Sequence, residues 1–431
     1  MQNITMLDRL ILYLVGLSLI ASCRCILLRT KPAQNQDVGA MLSYTPDPET
    51  AMNATEIIRY HGYPAEEYQI STEDGYLIYI QRIPHGIKNT TLQESGPRPV
   101  VILQHGLLCS STNWITNLPD ESLGFILADA GYDVWLGNMR GNFYGLNHKT
   151  LHVKSKEFWD FSFDEMAEYD IPAIINKALE ISNQTQVSYI GHSQGTLVGF
   201  AKFSSDAELA KKIKVFVAMG PVAFVNNMKS PPLRLLAPFS RELAFLFRVF
   251  GYRDFLPDYD LIKYLGRTFC TLQPVPVKIC ENILFLIGGY DYAQMNATRL
   301  DVYIAHNPAG TSSQNIFHFA QLVHSGKCQK FDFGSEKENL KHYGSKQPPE
   351  YPVADLKVPT ALIYSDNDWL ATPKDVLRLR EELNGEVDLY RVPYPKWNHL
   401  DYIWGIDANM YVYPEVLRVL KTHNKVMGYI V

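Results

Sequence analysis

Apolar residues in this chain gather into short unbroken runs, and between the runs they recur at helical spacing. Pro99-Val100-Val101-Ile102-Leu103, Tyr132-Asp133-Val134-Trp135-Leu136, Gln186-Val187-Ser188-Tyr189-Ile190, Lys214-Val215-Phe216-Val217-Ala218-Met219 and Pro359-Thr360-Ala361-Leu362-Ile363-Tyr364 are rich in β-branched and aromatic residues. That is the pattern of strands covered on both faces. Stretches 123–131, 163–181 and 196–201 lie between or beside these runs and predict helices. Such alternation signals a mostly parallel sheet with helices on both sides, an α/β fold. Upstream, 53–61 predicts a helix that Asn53 or Thr55 caps. Glu67-Tyr68-Gln69-Ile70-Ser71 and Tyr76-Leu77-Ile78-Tyr79-Ile80 alternate around Glu73-Asp74-Gly75 and predict a hairpin. At the other end, 388–392 predicts the last strand and 412–422 the closing helix.

The rhythm fails between 222 and 352, where buried runs give way to apolar helical stretches and Pro/Gly-rich loops. An insertion in a sheet fold explains this: core at 26–221, mainly helical insertion at 222–352, core again at 353–431. Within the insertion, 231–251 is apolar almost all round except for Arg234, Arg241 and Arg248, spaced to lie near one stripe. It either roofs a core or lines an apolar channel. Residues 1–25 predict a signal peptide: Arg9, an apolar run over 10–20 too short to span a bilayer, then Ala21, Ser22 and Cys23.

With 46% hydrophobic and 20% charged residues, the 431-residue chain has ample material for a large core, which excludes disorder. A net charge of −5 without any basic run excludes a nucleic-acid partner. Secretory entry makes the sequons at Asn53, Asn89, Asn183 and Asn296 usable and predicts them on the surface. Cys109, Cys270, Cys280 and Cys328 remain after cleavage, too few for a disulfide scaffold. Cys270 and Cys280, close together around a proline-containing loop, form the preferred bridge, with five other pairings open. No Cys/His cluster has zinc spacing, and no cofactor or metal is expected.

The candidate chemistry starts at Gly191-His192-Ser193-Gln194-Gly195, set between a strand and a helix. So sharp a turn strains the serine and leaves no room for neighbouring Cβ atoms, which accounts for both glycines. The strain exposes the hydroxyl, and the following helix directs its first amides at developing negative charge. A serine hydroxyl needs a histidine base and a carboxylate to orient it, in the chain order serine, acid, histidine. Only His399 and His423 follow the candidate acids, and His423 sits among Lys421, Asn424 and Lys425 on a polar helix, so His399 is assigned. The acid is Asp366 or Asp368, and their shared loop does not choose between them. His105-Gly106-Leu107-Leu108 follows a buried strand, and the amides of Leu107 and Gln194 are the expected oxyanion donors. His105 and His192 precede the acid and read as packing or bracing groups, and Arg140 as an internal salt-bridge or loop-bracing residue, with substrate contact the other reading.

The chain also resembles the acid lipases, the group that includes gastric and lysosomal acid lipase. The likeness rests on Gly62-Tyr63-Pro64, Thr72-Glu73-Asp74-Gly75-Tyr76, Leu103-Gln104-His105-Gly106-Leu107-Leu108, Ala130-Gly131-Tyr132-Asp133-Val134-Trp135-Leu136-Gly137-Asn138 and Phe161-Ser162-Phe163-Asp164-Glu165-Met166. It continues through Gly191-His192-Ser193-Gln194-Gly195, His306-Asn307-Pro308-Ala309-Gly310-Thr311-Ser312 and Asn398-His399-Leu400-Asp401, covering almost all of the chain after residue 50. The resemblance implies an α/β-hydrolase core, a helical cap with a mobile lid, and hydrolysis of triacylglycerols or cholesteryl esters. It implies Ser193 as nucleophile, His399 as base, and Asp368 as acid because Trp369-Leu370-Ala371 follows it. Cys270 and Cys280 resemble the family's cap disulfide; Gly288 stands where the family has a further cysteine, and Cys328 appears instead. A neutral lipid at an oil–water or membrane interface is the implied partner, with no obligate protein partner, and the enzyme is expected to be secreted or lysosomal. The rival readings are a short-chain carboxylesterase and a non-catalytic lipid carrier.

Overall fold

The computed structural model describes residues 46–88, 97–231, 234, 285 and 287–424. The expected signal peptide, Asn89, Cys270, Cys280, Arg241, Arg248 and most of the apolar stretch 231–251 lie outside the described residues. The sheet begins with the predicted hairpin, β1 (Glu66–Ser71) antiparallel to β2 (Tyr76–Ile83). Then come β3 (Val100–Gln104), β4 (Asp133–Gly137), the two-residue β5 (Asn147–His148), β6 (Val187–His192), β7 (Ile213–Met219), β8 (Thr360–Tyr364) and β9 (Val387–Arg391). Their order is β1-β2-β4-β3-β6-β7-β8-β9, with β5 beside β2. Every pairing from β4 through β9 is parallel.

The unbroken apolar runs have the burial expected of them. In β3, Val101 and Leu103 face one apolar layer, with Ile190, Val215, Val217 and Ile363. Ile102 faces the other, with Tyr189, Phe216 and Leu362. A strand alternates its side chains between faces, so a strand covered on both must be apolar throughout. The two edge strands are less covered: β1 alternates exposed with covered residues, and β9 has only exposed and half-buried ones.

Two helical predictions gain detail. Asn53, rather than Thr55, caps the helix Ala54–Tyr60: its Oδ1 accepts from Glu56 N at 2.9 Å, and Glu56 Oε2 accepts from Asn53 N at 2.8 Å. The stretch predicted as one helix over 163–181 is broken into Phe163–Glu165, a wider π turn at Met166–Asp170, and Ile171–Ser182. Pro172, which has no N–H to donate back, follows the widened turn.

Between β7 and β8 the described residues add helices Leu300–His306, Ser313–Ser325 and Glu336–Tyr343, none of which joins the sheet. Among the described residues no helix is long and apolar enough to cross a membrane. Cys109 and Cys328 are free thiols. Asn53 and Asn183 are exposed and Asn296 is half-buried. The carboxyl ends of β3, β6, β7, β8 and β9 feed directly into the loops that carry His105, Ser193, Gly220, Asp368 and His399. Parallel α/β sheets place their sites at this edge.

Candidate active site

Ser193 stands between β6 and the helix Gln194–Ser205 with φ 55° and ψ −121°, a conformation costing on the order of 1–3 kcal/mol for a residue with a side chain. The glycines on either side make it reachable. A Cβ on Gly191 would lie 2.6 Å from the Gly195 carbonyl oxygen, and one on Gly195 would overlap the carbonyl oxygen of Gln104. The strained residue is pinned on both sides: its N–H donates to the Met219 carbonyl at 3.2 Å, and its carbonyl accepts from Thr196 N at 2.8 Å. The Thr196 hydroxyl donates to the same carbonyl at 2.6 Å.

The loop after β3 comes up against this turn. A Cβ on Gly106 would lie 3.0 Å from Ser193 Cβ. Leu108 is held at φ 60°. His105 braces the loop from beneath: Nδ1–H donates to the Gly106 carbonyl at 2.8 Å, while Nε2 accepts from Met139 N at 3.3 Å. That pattern requires the neutral ring, and burial depresses its pKa to about 4. Among the described residues no protein group accepts from the N–H of Leu107 or Gln194.

His399 and Asp368 arrive on the loops after β9 and β8. Their Nδ1 and Oδ2 are 2.8 Å apart, and both side chains are buried. Asp368 Oδ1 accepts from the N–H of Leu370 at 2.9 Å and of Ala371 at 2.8 Å, which fixes the carboxylate. Asp366 turns away to an exposed ion pair with Arg391. The structure therefore brings Asp368, not Asp366, to the imidazole. The His399 ring packs on Gly220, where a Cβ would lie 3.1 Å from Cε1. Gly220 directly follows Met219, whose carbonyl holds Ser193. His399 Nε2 is buried and has no hydrogen-bond partner among the described residues. His192 donates from Nε2 to the His399 carbonyl at 2.9 Å. Burial holds its pKa well below that of an ordinary histidine, so it braces as a neutral ring.

Arg140 is wholly internal, between Asp170 and Asp74, with nitrogen–oxygen distances of 2.5–2.9 Å. Its guanidinium lies 4.0 Å from the centre of the Tyr76 ring. It ties the hairpin to the π turn and contacts no part of the candidate site.

Sequence reasoning missed the segment that joins the two carboxyl-side loops. The Gly288 carbonyl accepts from both Trp369 N and His399 N, each at 3.2 Å. Asn367 Nδ2 donates to the Tyr290 carbonyl at 3.0 Å; Gln294 Nε2 donates to Asp407 Oδ2 at 2.8 Å, and Asp407 N donates to Gln294 Oε1 at 3.0 Å. The one visible signal was the doublet Gly288-Gly289, whose second member has φ +117°.

Residues 54–118 match the model of the partial alpha/beta-hydrolase lipase region, and residues 99–406 that of the alpha/beta hydrolase fold. The chain is 48% identical to human lysosomal acid lipase/cholesteryl ester hydrolase over 378 residues, 88% of this chain and 92% of the relative. The chain belongs to the acid lipase family. This acid lipase is also 49% identical to gastric triacylglycerol lipase of Bos taurus over 380 residues, 88% of this chain and 94% of the relative. The crystal structure of a candidate lipase from Sulfolobus solfataricus has the same fold, with a TM-score of 0.54 at 14% identity, covering 84% of this chain and 94% of that one. Family and fold make the chain an acid-lipase-type ester hydrolase.

Proposed function

We propose that this acid lipase cleaves triacylglycerols, cholesteryl esters or both through an acyl-enzyme on Ser193. The observation that carries the reading is the buried Asp368–His399 pair, whose unpartnered Nε2 lies in the loop packed on Gly220. Catalytic hydrogen bonds commonly close only when substrate binds, so the free Nε2 is suited to take the serine proton. Ser193 Oγ attacks the ester carbonyl as His399 accepts its proton, and Asp368 holds the ring in the tautomer that exposes Nε2. The N–H groups of Leu107 and Gln194 receive the oxyanion. His399 then protonates the departing alcohol, and water repeats the sequence to release the fatty acid.

The substrate class rests on the relatives' names and on the insertion at 222–352, which in this reading is a cap and lid covering an acyl groove. Removal of residues 1–25, glycans on the exposed Asn53 and Asn183, a Cys270–Cys280 bridge, and secretion or lysosomal delivery complete the proposal. Release of oleate from triolein and cholesteryl oleate, measured from pH 4 to 8 with purified enzyme, tests it. Ser193→Ala is expected to lose about 10⁴-fold or more in kcat while remaining folded. Full turnover by that variant overturns the mechanism, and a preference for short soluble esters overturns the substrate class.

A further inference from the structure

We infer that segment 309–315, at the start of the helix Ser313–Ser325, is a positioning brace that holds both oxyanion donors from one side. The inference rests on the proposed reading of Leu107 and Gln194 as those donors. Among the described residues three non-glycines have positive φ, namely Leu108, Asn183 and Ser193. Two of the three directly adjoin an oxyanion amide. Backbone held in such a conformation persists only where its surroundings over-determine it, and this segment reaches both places. The Ala309 N–H donates to the Leu108 carbonyl at 2.6 Å. Asn315 Nδ2 donates to Gln194 Oε1 at 2.8 Å.

The second contact is specific. Among the described residues, the other end of the Gln194 side chain donates only to the sulfurs of Met139 and Met166, at 3.6 and 3.3 Å, which are weak acceptors. Asn315 is therefore the strong partner that fixes this side chain, and with it the first residue of the helix after the nucleophile. The brace is itself anchored. Asn315 Nδ2 also donates to Thr311 Oγ1 at 3.0 Å, Asn315 N to Ser312 Oγ at 3.0 Å, and the Ser312 hydroxyl to the Phe161 carbonyl. Thr311, Ser312, Ser313, Gln314 and Asn315 are all buried, a run of polar side chains where packing alone would favour apolar ones. Asn315 acts through Gln194 and touches no reacting atom, so it is a positioning residue.

A double-mutant cycle on the full chain tests this, using p-nitrophenyl butyrate as a soluble ester so that interfacial binding plays no part. Asn315→Ala is expected to lower kcat about 10-fold with KM within about twofold, the signature of misplaced transition-state donors. In a Gln194→Ala background the same change is expected to cost less than about twofold more. Losses that multiply across the cycle, or a rise in KM at unchanged kcat, overturn the brace. If the alanine variant does not fold, Asn315→Leu fills the volume without a donor and is read in the same cycle. Ser193→Ala separates the two claims. If it is inactive while the cycle is multiplicative, only the brace fails; if it turns over fully, the donor assignment and the brace fail together.

Discussion

Ser193 is held almost entirely by its own neighbourhood: two glycines within two residues, a helix beginning at the next residue, and one carbonyl from the adjacent strand. Asp368 and His399 sit on separate loops 31 residues apart and are held together by a third segment, through the Gly288 carbonyl, which accepts from Trp369 N and His399 N, and the Tyr290 carbonyl, which accepts from Asn367. The serine half is thus a local structure, and the acid–histidine half an assembly. A local structure fails when its own backbone is disturbed. An assembly can be disturbed from any of the parts it joins, and it is the half that long-range changes will reach.

The largest test asks whether two carboxylates in one loop differ as sharply as their contacts. Asp368→Asn keeps the shape but loses the charge that selects the His399 tautomer, and should lower kcat by about 10⁴-fold with little change in KM. Asp366→Asn breaks only an exposed, solvent-screened pair with Arg391 and should leave kcat within about twofold. Comparable losses in the two variants would mean that the acid–histidine half is not built as described.

The same division governs how much was legible beforehand. Strands came through because full burial writes an unbroken apolar run, and the nucleophile turn because its strain demands glycine at Gly191 and Gly195. The capping of 53–61 came through to within one candidate residue. Asp366 and Asp368 could not be separated from the loop itself, since what distinguishes them is contact with His399 and Arg391, more than twenty residues away. Family resemblance supplied that choice. The 288–296 clasp and the 309–315 brace work through backbone carbonyls and buried amides, which impose no periodicity on a sequence. The π turn at Met166–Asp170 was hidden too, because 163–181 keeps helical spacing across it.

Added methyl groups probe the two halves at intermediate effect. On the serine side, Gly195→Ala forces a Cβ into the Gln104 carbonyl in the middle of the sheet. It should abolish soluble folded protein, seen as loss of the cooperative thermal transition. On the other side, Gly289→Ala forces a Cβ onto the Asn367 carbonyl at φ +117°. The Asn367 carbonyl it meets belongs to a half-buried loop residue outside the strands, where the Gln104 carbonyl belongs to a buried strand residue. The variant should therefore fold, as judged by circular dichroism, yet lose up to about 100-fold in kcat through displacement of the acid loop. Wild-type activity in Gly289→Ala would remove the clasp from any part in positioning.

The smallest effect concerns pH, because each half carries buried carboxyl groups. On the serine side, burial raises the Asp164 pKa to about 6 and that of Glu165 to about 7. On the other side, burial pushes the Asp401 carboxyl well above the usual range and raises that of Asp291. Asp401 accepts from Asn398 N at 2.6 Å, just before His399. Lys396 faces Asp291, and the charge of Asp368 faces Asp401. Groups with folded pKa values above the unfolded ones stabilise fully below the ordinary carboxyl value of about 4, and that stability is lost as pH rises through the folded values. The share of stability that these carboxyls contribute should therefore be smaller at pH 8 than at pH 5, while the buried neutral rings of His105 and His192, with lowered pKa values, act in the opposite direction. Asp401→Asn keeps an acceptor for Asn398 and places a permanent amide N–H beside Asp291 where the acid offers a titrating proton. Its Tm at pH 8 should exceed wild type by about 2–4 °C, with little change at pH 5. Asp164 and Glu165 contribute in the same direction, and Glu165→Gln should remove its own share of that dependence. Only Asp401→Asn should also move the alkaline limb of kcat, because only that pair adjoins the His399 loop. If Glu165→Gln moves that limb and Asp401→Asn does not, the half sensitive to remote change is the serine half, and the contrast drawn between the two is reversed.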